Sequence, residues 1–153
     1  MNQTLVERHK TRGRRVRFKT RGASLGITTV STGELISQVE RGLSFKSLRC
    51  LETHSGLPLS IIASIIAIPE RTLARRKTSG RLTSGESERL LRVSTVFEKA
   101  VELFEGDAPE AVKWLTTSQK ALGDHTPIAY ARTELGAREV ENLIGRLEHG
   151  AFS

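Results

Sequence analysis

The 153-residue chain is long enough to bury a core as one domain or as two small ones, and its 37% hydrophobic and 27% charged residues suit a soluble globular protein. Its longest apolar run, residues 57–68, is interrupted by Ser60 and Ser64 and is too short for a bilayer, and no apolar stretch follows the basic N-terminus, so neither a membrane span nor a secretory leader is expected. The single cysteine, Cys50, cannot close an internal disulfide and fits a reducing, cytoplasmic setting, while the net charge of +7 points to an anionic partner.

Residues 1–22 hold eight Lys or Arg against the one acid Glu7. With no sustained apolar period, residues 1–30 read as a mostly disordered basic tail, either a non-specific DNA arm or a dispensable extension. Ser31-Thr32-Gly33-Glu34 is a capping box for a short helix carrying Leu35, Ile36 and Val39, closed by Gly42. An amphipathic helix from Ser44 to Thr53 follows, bearing Phe45, Leu48 and Leu51 with Cys50 half-buried beside them. The breaker Gly56-Leu57-Pro58 separates it from an apolar helix with Ser60 as N-cap, ending near Ile68.

The segment from Ile65 to Gly80 has the pattern of the second half of a helix-turn-helix entering an arginine-rich recognition helix. Pro69 fits the first turn, where its missing N–H would have no partner. Leu73 faces back onto Ile61, Ile65 and Ile66. Arg71, Thr72, Arg75 and Arg76 take the remaining surface, and the early turns of such a helix reach base edges in the major groove. Arginine can bond guanine O6 and N7 together, whereas Lys77 offers a point charge to phosphate. With Ser60 these residues form the candidate DNA-binding set; the competing reading is a solvated helix with adjacent cations. Residues 40–82 carry eight bases and three acids, and residues 83–153 carry eight bases and twelve acids. The basic middle suits phosphate binding through counterion release, and the acidic end needs another task.

Thr83-Ser84-Gly85-Glu86 is a second capping box and opens the longest helix. Its stripe of Leu90, Val93, Phe97, Ala100 and Phe104, widened by Val96 and Leu103, is long enough to suggest a homodimer; packing of Trp114 and the last helix on it is the alternative. Gly106 ends this helix. Asp107 caps a short helix through Trp114-Leu115, and a polar loop spans residues 116–125. Thr126-Pro127 starts another short helix, and the last runs from about Ala137 to Gly150 with Val140, Leu143, Ile144 and Leu147 on one side. No stretch alternates strictly over a strand length, so an all-α fold is expected: a helix-turn-helix domain followed by a small helical domain.

His9, His54, His125 and His149 have no metal-ligand spacing, so no metal site is expected. Asp124-His125 lies in a polar loop without a nucleophile elbow, and Lys77-Thr78-Ser79-Gly80 lacks the rest of a phosphate loop and reads as a helix C-terminus. Neither an enzyme nor a cofactor is expected.

From Arg71 to Gly150 the chain resembles the antitoxins of the Xre/MbcA/ParS family. The resemblance is carried by Arg71-Thr72-Leu73, Gly80-Arg81-Leu82-Thr83 with Glu86-Ser87-Glu88-Arg89-Leu90, Ala111 to Leu115 including Trp114, Ala121-Leu122-Gly123 with Thr126-Pro127, and the Gly136–Gly150 helix ending Arg146-Leu147-Glu148-His149-Gly150. It implies a type II antitoxin beside a RES-domain toxin that degrades NAD, neutralised by the C-terminal domain, with autorepression through the helix-turn-helix. Residues 1–30 would then be tail, 31–82 the DNA-binding domain and 83–153 the toxin-binding domain. The toxin-binding set it implies is Arg138, Glu141, Asn142, Arg146, His149 and Phe152. Arg138 and Arg146 would meet groups in the toxin's cleft, or else make only weak surface pairs with Glu134 and with Glu141 or Asn142. Asp124, His125 and the basic tail depart from the family pattern. A stand-alone regulator whose C-terminal half dimerises, and an antitoxin that no longer binds DNA, are the other readings.

Overall fold

Helix starts in this chain are written in short polar side chains, because the first amides of a helix have no partner within it. The structure, a computed structural model, describes residues 14–150. Among them lie eight α-helices and no named strand: α1 (Thr32–Arg41), α2 (Phe45–Ser55), α3 (Leu59–Ile65), α4 (Glu70–Ser79), α5 (Ser84–Leu103), α6 (Ala108–Leu115), α7 (Pro127–Tyr130) and α8 (Glu134–Glu148). Ser31, Ser44, Thr83, Asp107, Thr126 and Thr133 each accept a hydrogen bond from a first-turn amide. At α5 the box is complete, since Glu86 also accepts from the Thr83 N–H at 2.9 Å. At α1 the Ser31 half alone is present: the Ser31 N–H donates to Thr29 Oγ1 instead.

The expected elements are present with shifted starts. Pro58, not Ser60, occupies the cap of α3, and Ser60 lies exposed within the helix. Pro69 is likewise the cap residue of α4 rather than its first helical residue, and its carbonyl accepts from the Leu73 N–H at 2.8 Å. The last helix begins at Glu134, a turn earlier than Ala137, because Thr133 caps it. The polar loop contains a 3-10 turn at Lys120–Leu122, closed by an isolated bridge between Gln119 and His125.

The α5 helix is the central post. It packs against α1, α2, an N-terminal 3-10 turn (Ala23–Leu25), α6 and α8. Leu90, Val96 and Ala100 are wholly buried and Phe97 nearly so. The stripe that suggested a dimer is therefore covered within a single chain, and the expectation loses that support. Trp114 packs half-buried on the same core, with its ring centroid 6.4 Å from that of Phe104.

The N-terminal segment corrects another expectation. Residues 14–30 are not a disordered extension, for Leu25 and Ile27 are buried in the core and Phe18 packs against it beside Phe97 and His54. Polar ties complete the attachment: Arg21 Nε donates to Thr95 Oγ1, and Glu98 accepts from the Gly22 N–H and the Ser24 hydroxyl. The earlier basic residues of the tail, Arg8, Lys10 and Arg12, lie outside the described residues.

Candidate nucleic-acid interface

The α3–turn–α4 unit has the geometry of a helix-turn-helix. Ile62, Ile65 and Ile66 are buried, and Ile68 anchors the turn, its N–H reaching back to the Ala63 carbonyl at 2.8 Å. Between them Ala67 adopts a left-handed backbone, φ 58°, which reverses the chain sharply enough to launch α4. Ile61, expected to support Leu73, is instead largely exposed, and Leu73 packs half-buried onto the core.

None of the ten residues of α4 is fully buried: Thr72, Leu73 and Arg76 are half-buried and the other seven are exposed. Arg71 and Arg75, one turn apart, are exposed and make no side-chain hydrogen bond or ion pair among the described residues. Thr72 is half-buried beside them, and Lys77 is exposed in the last turn. Ser60 is exposed on the preceding helix, two residues from its cap.

Arg76 departs from the expected surface set. Its Nε lies 2.8 Å from Glu86 Oε1, and the two side chains retain only 20% and 8% of their exposure, so its charge is already engaged by α5. Burial by itself would raise the Glu86 carboxyl. Hydrogen bonds from Arg76 and from Thr83, together with the Arg76 charge, outweigh it and hold the group below the ordinary carboxylate range. Sequence spacing gave no sign of this pair, because residues ten apart meet only when α4 folds back across the start of α5.

Two more ties brace the unit. Arg89 Nε donates to the Ile66 carbonyl, at the end of α3, at 2.7 Å. At the other end of α4, Gly80 takes the left-handed cap and its carbonyl accepts from Phe45 N–H at 2.9 Å, while Leu82 N–H donates to Leu43 O. Gly42 must be glycine there: its φ is +89°, and a β-carbon would collide with the Leu82 carbonyl oxygen.

In the second half of the chain, α8 anchors through Val140, Leu143 and Ile144 and turns Arg138, Asn142, Arg146 and His149 to solvent. Glu141 is half-buried and pairs with Lys99 of α5 at 3.5 Å, and Arg138 pairs with Glu134 at 3.4 Å, both side chains exposed. Phe152 lies outside the described residues. Sequence reasoning missed Leu135, the most exposed large apolar side chain of this half, at 78%. It borders a cavity of about 510 Å³ between α7 and α8 that is also lined by His125, Tyr130 and Glu139. Gly136 lets the two helices meet, since a β-carbon there would collide with the Tyr130 carbonyl.

An arginine-bearing helix presented after a tight turn, with a helical module hung on the same central post, defines a helix-turn-helix protein with an appended C-terminal domain. Comparison with known families finds both parts, with a boundary inside α5. Residues 34–94 match the antitoxin Xre-like helix-turn-helix domain, and residues 99–150 match the antitoxin Xre/MbcA/ParS C-terminal toxin-binding domain. A protein of Yersinia enterocolitica named "Antitoxin Xre" is 39% identical over 130 residues, covering 84% of this chain and 88% of its own length. A Photorhabdus laumondii protein of the same name is 34% identical over 131 residues, covering 85% and 88%. The chain belongs to the Xre antitoxin family. The two matched regions meet within α5, which runs from one into the other without interruption.

Proposed function

We propose that the chain is a cytoplasmic type II antitoxin that binds and neutralises a RES-domain, NAD-degrading toxin through residues 83–153 and represses its own operon through residues 31–82. The observation that carries this reading is the pairing of α4, whose Arg71 and Arg75 stand exposed, with a module matched as a toxin-binding domain. The charge distribution supports it: the basic middle suits DNA, and the acidic half suits a protein partner. The RES identity of the toxin comes from the family resemblance alone.

Toxin binding is assigned to the outward residues Arg138, Asn142, Arg146 and His149, with Glu141 at their margin and Phe152 beyond. DNA binding is assigned to Arg71, Thr72, Arg75 and Lys77, with Ser60 on the preceding helix. A homodimer reading paired half-sites is part of the proposal on the general habit of helix-turn-helix proteins. Light scattering at micromolar concentration tests it, a monomer with full operator affinity being the contrary result.

The whole reading is tested by looking for a RES-domain toxin encoded beside the chain, co-expressing it with the full chain and following growth and cellular NAD. Protection and preserved NAD are expected. In parallel, the purified chain should retard duplex DNA from upstream of its own gene. A chain that fails to protect while still retarding that DNA would instead be a stand-alone regulator.

A further inference from the structure

We propose that Glu86 and Arg89, on the first two turns of α5, are positioning residues for DNA reading: they set the attitude of α4 and the turn before it without touching DNA. This rests on the DNA-reading role given to α4 above. The starting point is that α4 has no buried residue. With Leu73 its one apolar contact with the core, packing alone constrains the angle of α4 little, and its directional ties must fix it.

Those ties converge on α5. Arg89 holds the Ile66 carbonyl at 2.7 Å, just before the left-handed Ala67 turn that launches α4. Glu86 holds Arg76 at 2.8 Å, one and a half turns into the helix. Glu86 is itself fixed, because the same Oε1 accepts from Thr83 N–H at 2.9 Å and its backbone N–H donates to Thr83 Oγ1. Glu86 is thus immobilised before it meets its partner, and little side-chain freedom is lost in gripping Arg76. The pair is shielded from solvent, so salt weakens it little. Arg71 and Arg75, which face outward, then inherit their direction from a bond made on another side of their helix.

The test uses the full chain. Wild-type protein is first used to enrich binding sites from a random-sequence duplex pool; the enriched duplex and a scrambled duplex of the same composition then serve as probes. Binding and thermal melting are measured for wild type, Glu86→Gln, Arg76→Ala, the double variant and Arg89→Ala. Glu86→Gln keeps an acceptor for Thr83 N–H, and Arg76→Ala leaves the capping box untouched, so either alone can decide the matter if the other fails to fold. Each single variant is expected to weaken the enriched duplex about tenfold, within the range seen for coupling between contacting side chains. The Glu86→Gln variant should not weaken the scrambled duplex, and the double variant should be no worse than the singles. Additive losses, equal losses on both duplexes, or unchanged affinity for the enriched one would overturn the proposal. So would relaxed preference at a single base position in Arg76→Ala alone, which marks a direct base contact. A wild-type chain that enriches no sequence and binds neither duplex would remove the DNA-reading role itself, an outcome distinct from all of these.

Discussion

Glu98 of α5 accepts hydrogen bonds from the Gly22 N–H at 2.9 Å and the Ser24 hydroxyl at 2.8 Å, joining residues more than seventy positions apart. Burial raises the Glu98 carboxyl above its ordinary range, and the hydrogen bonds from Ser24, Gly22 and Ala23 offset this only in part. A carboxyl raised in the folded state contributes stability at low pH that is lost as pH rises through its folded value. Replacing Glu98 with Gln should therefore flatten that loss above the ordinary carboxylate range while keeping partners for Gly22 and Ser24. Glu98→Ala should cost about 1–3 kcal/mol, because the wholly buried Ser24 hydroxyl loses its acceptor. Denaturant unfolding at several pH values checks both.

Glu86 has the opposite sign. Its lowered carboxyl contributes stability above the ordinary carboxylate range, and this is lost as pH falls through the folded value. Acidification should thus loosen the start of α5 from α4 while relieving the strain of burying Glu98 as an anion. Circular dichroism under acid titration should show helix loss in wild type displaced in Glu86→Gln. Coincident curves for the two proteins would exclude a contribution from this carboxyl.

The Ala67 turn offers a clean backbone test. A β-carbon in the left-handed region costs roughly 1–2 kcal/mol, whereas glycine there returns about 0.4–1 kcal/mol of unfolded-chain entropy. Ala67→Gly should therefore stabilise the chain by up to about 1.6 kcal/mol, the difference between these effects. The readout is the denaturation midpoint, with an unchanged slope showing that the folded surface is the same.

What was legible in the sequence was local. Thr83 with Glu86, Asp107 and Thr126 mark helix starts because a cap needs only its own next three residues, and the apolar stripe of α5 gave its length. Pro58 and Pro69 displaced the α3 and α4 starts, since a proline can stand at the cap although its side chain accepts no hydrogen bond. What was not legible depends on distant partners. The segment around Leu25 looks like basic tail until Glu98 and Thr95 are placed beside it, and Arg76 looks like a surface cation until Glu86 meets it. Of the four residues expected at base edges, Arg71, Thr72, Arg75 and Arg76, the first and third keep the exposure expected of them.

Those two residues should therefore carry base reading. Arg71→Ala or Arg75→Ala should each cost on the order of 1–3 kcal/mol of operator affinity and relax preference at one base position, since a bidentate arginine contact is lost. Lys77→Ala should instead weaken binding to all sequences alike and lower the salt slope by about one counterion. Gel-shift titration over a salt series separates the two behaviours. Operator affinity unchanged in both arginine variants would remove α4 as the reading helix.

Neutralisation should fail when the outward face of α8 is reversed in charge. Cutting the chain after Leu135 is a poor test, because it removes Val140 and Ile144 from the core and would unfold the module for reasons unrelated to the toxin. Arg138→Glu with Arg146→Glu leaves that core intact: Arg146 is exposed, and the Arg138–Glu134 pair is an exposed one worth only a few tenths of a kcal/mol. Leu135→Asp is the companion variant, placing a charge on the exposed apolar residue beside the α7–α8 cavity. Co-expressed with the toxin, the doubly reversed chain should lose protection, with growth arrest and falling NAD, while still retarding operator DNA. Loss from Leu135→Asp but not from the arginine pair would move the contact to the α7–α8 corner, and full protection by both would place the toxin on another face of residues 83–153.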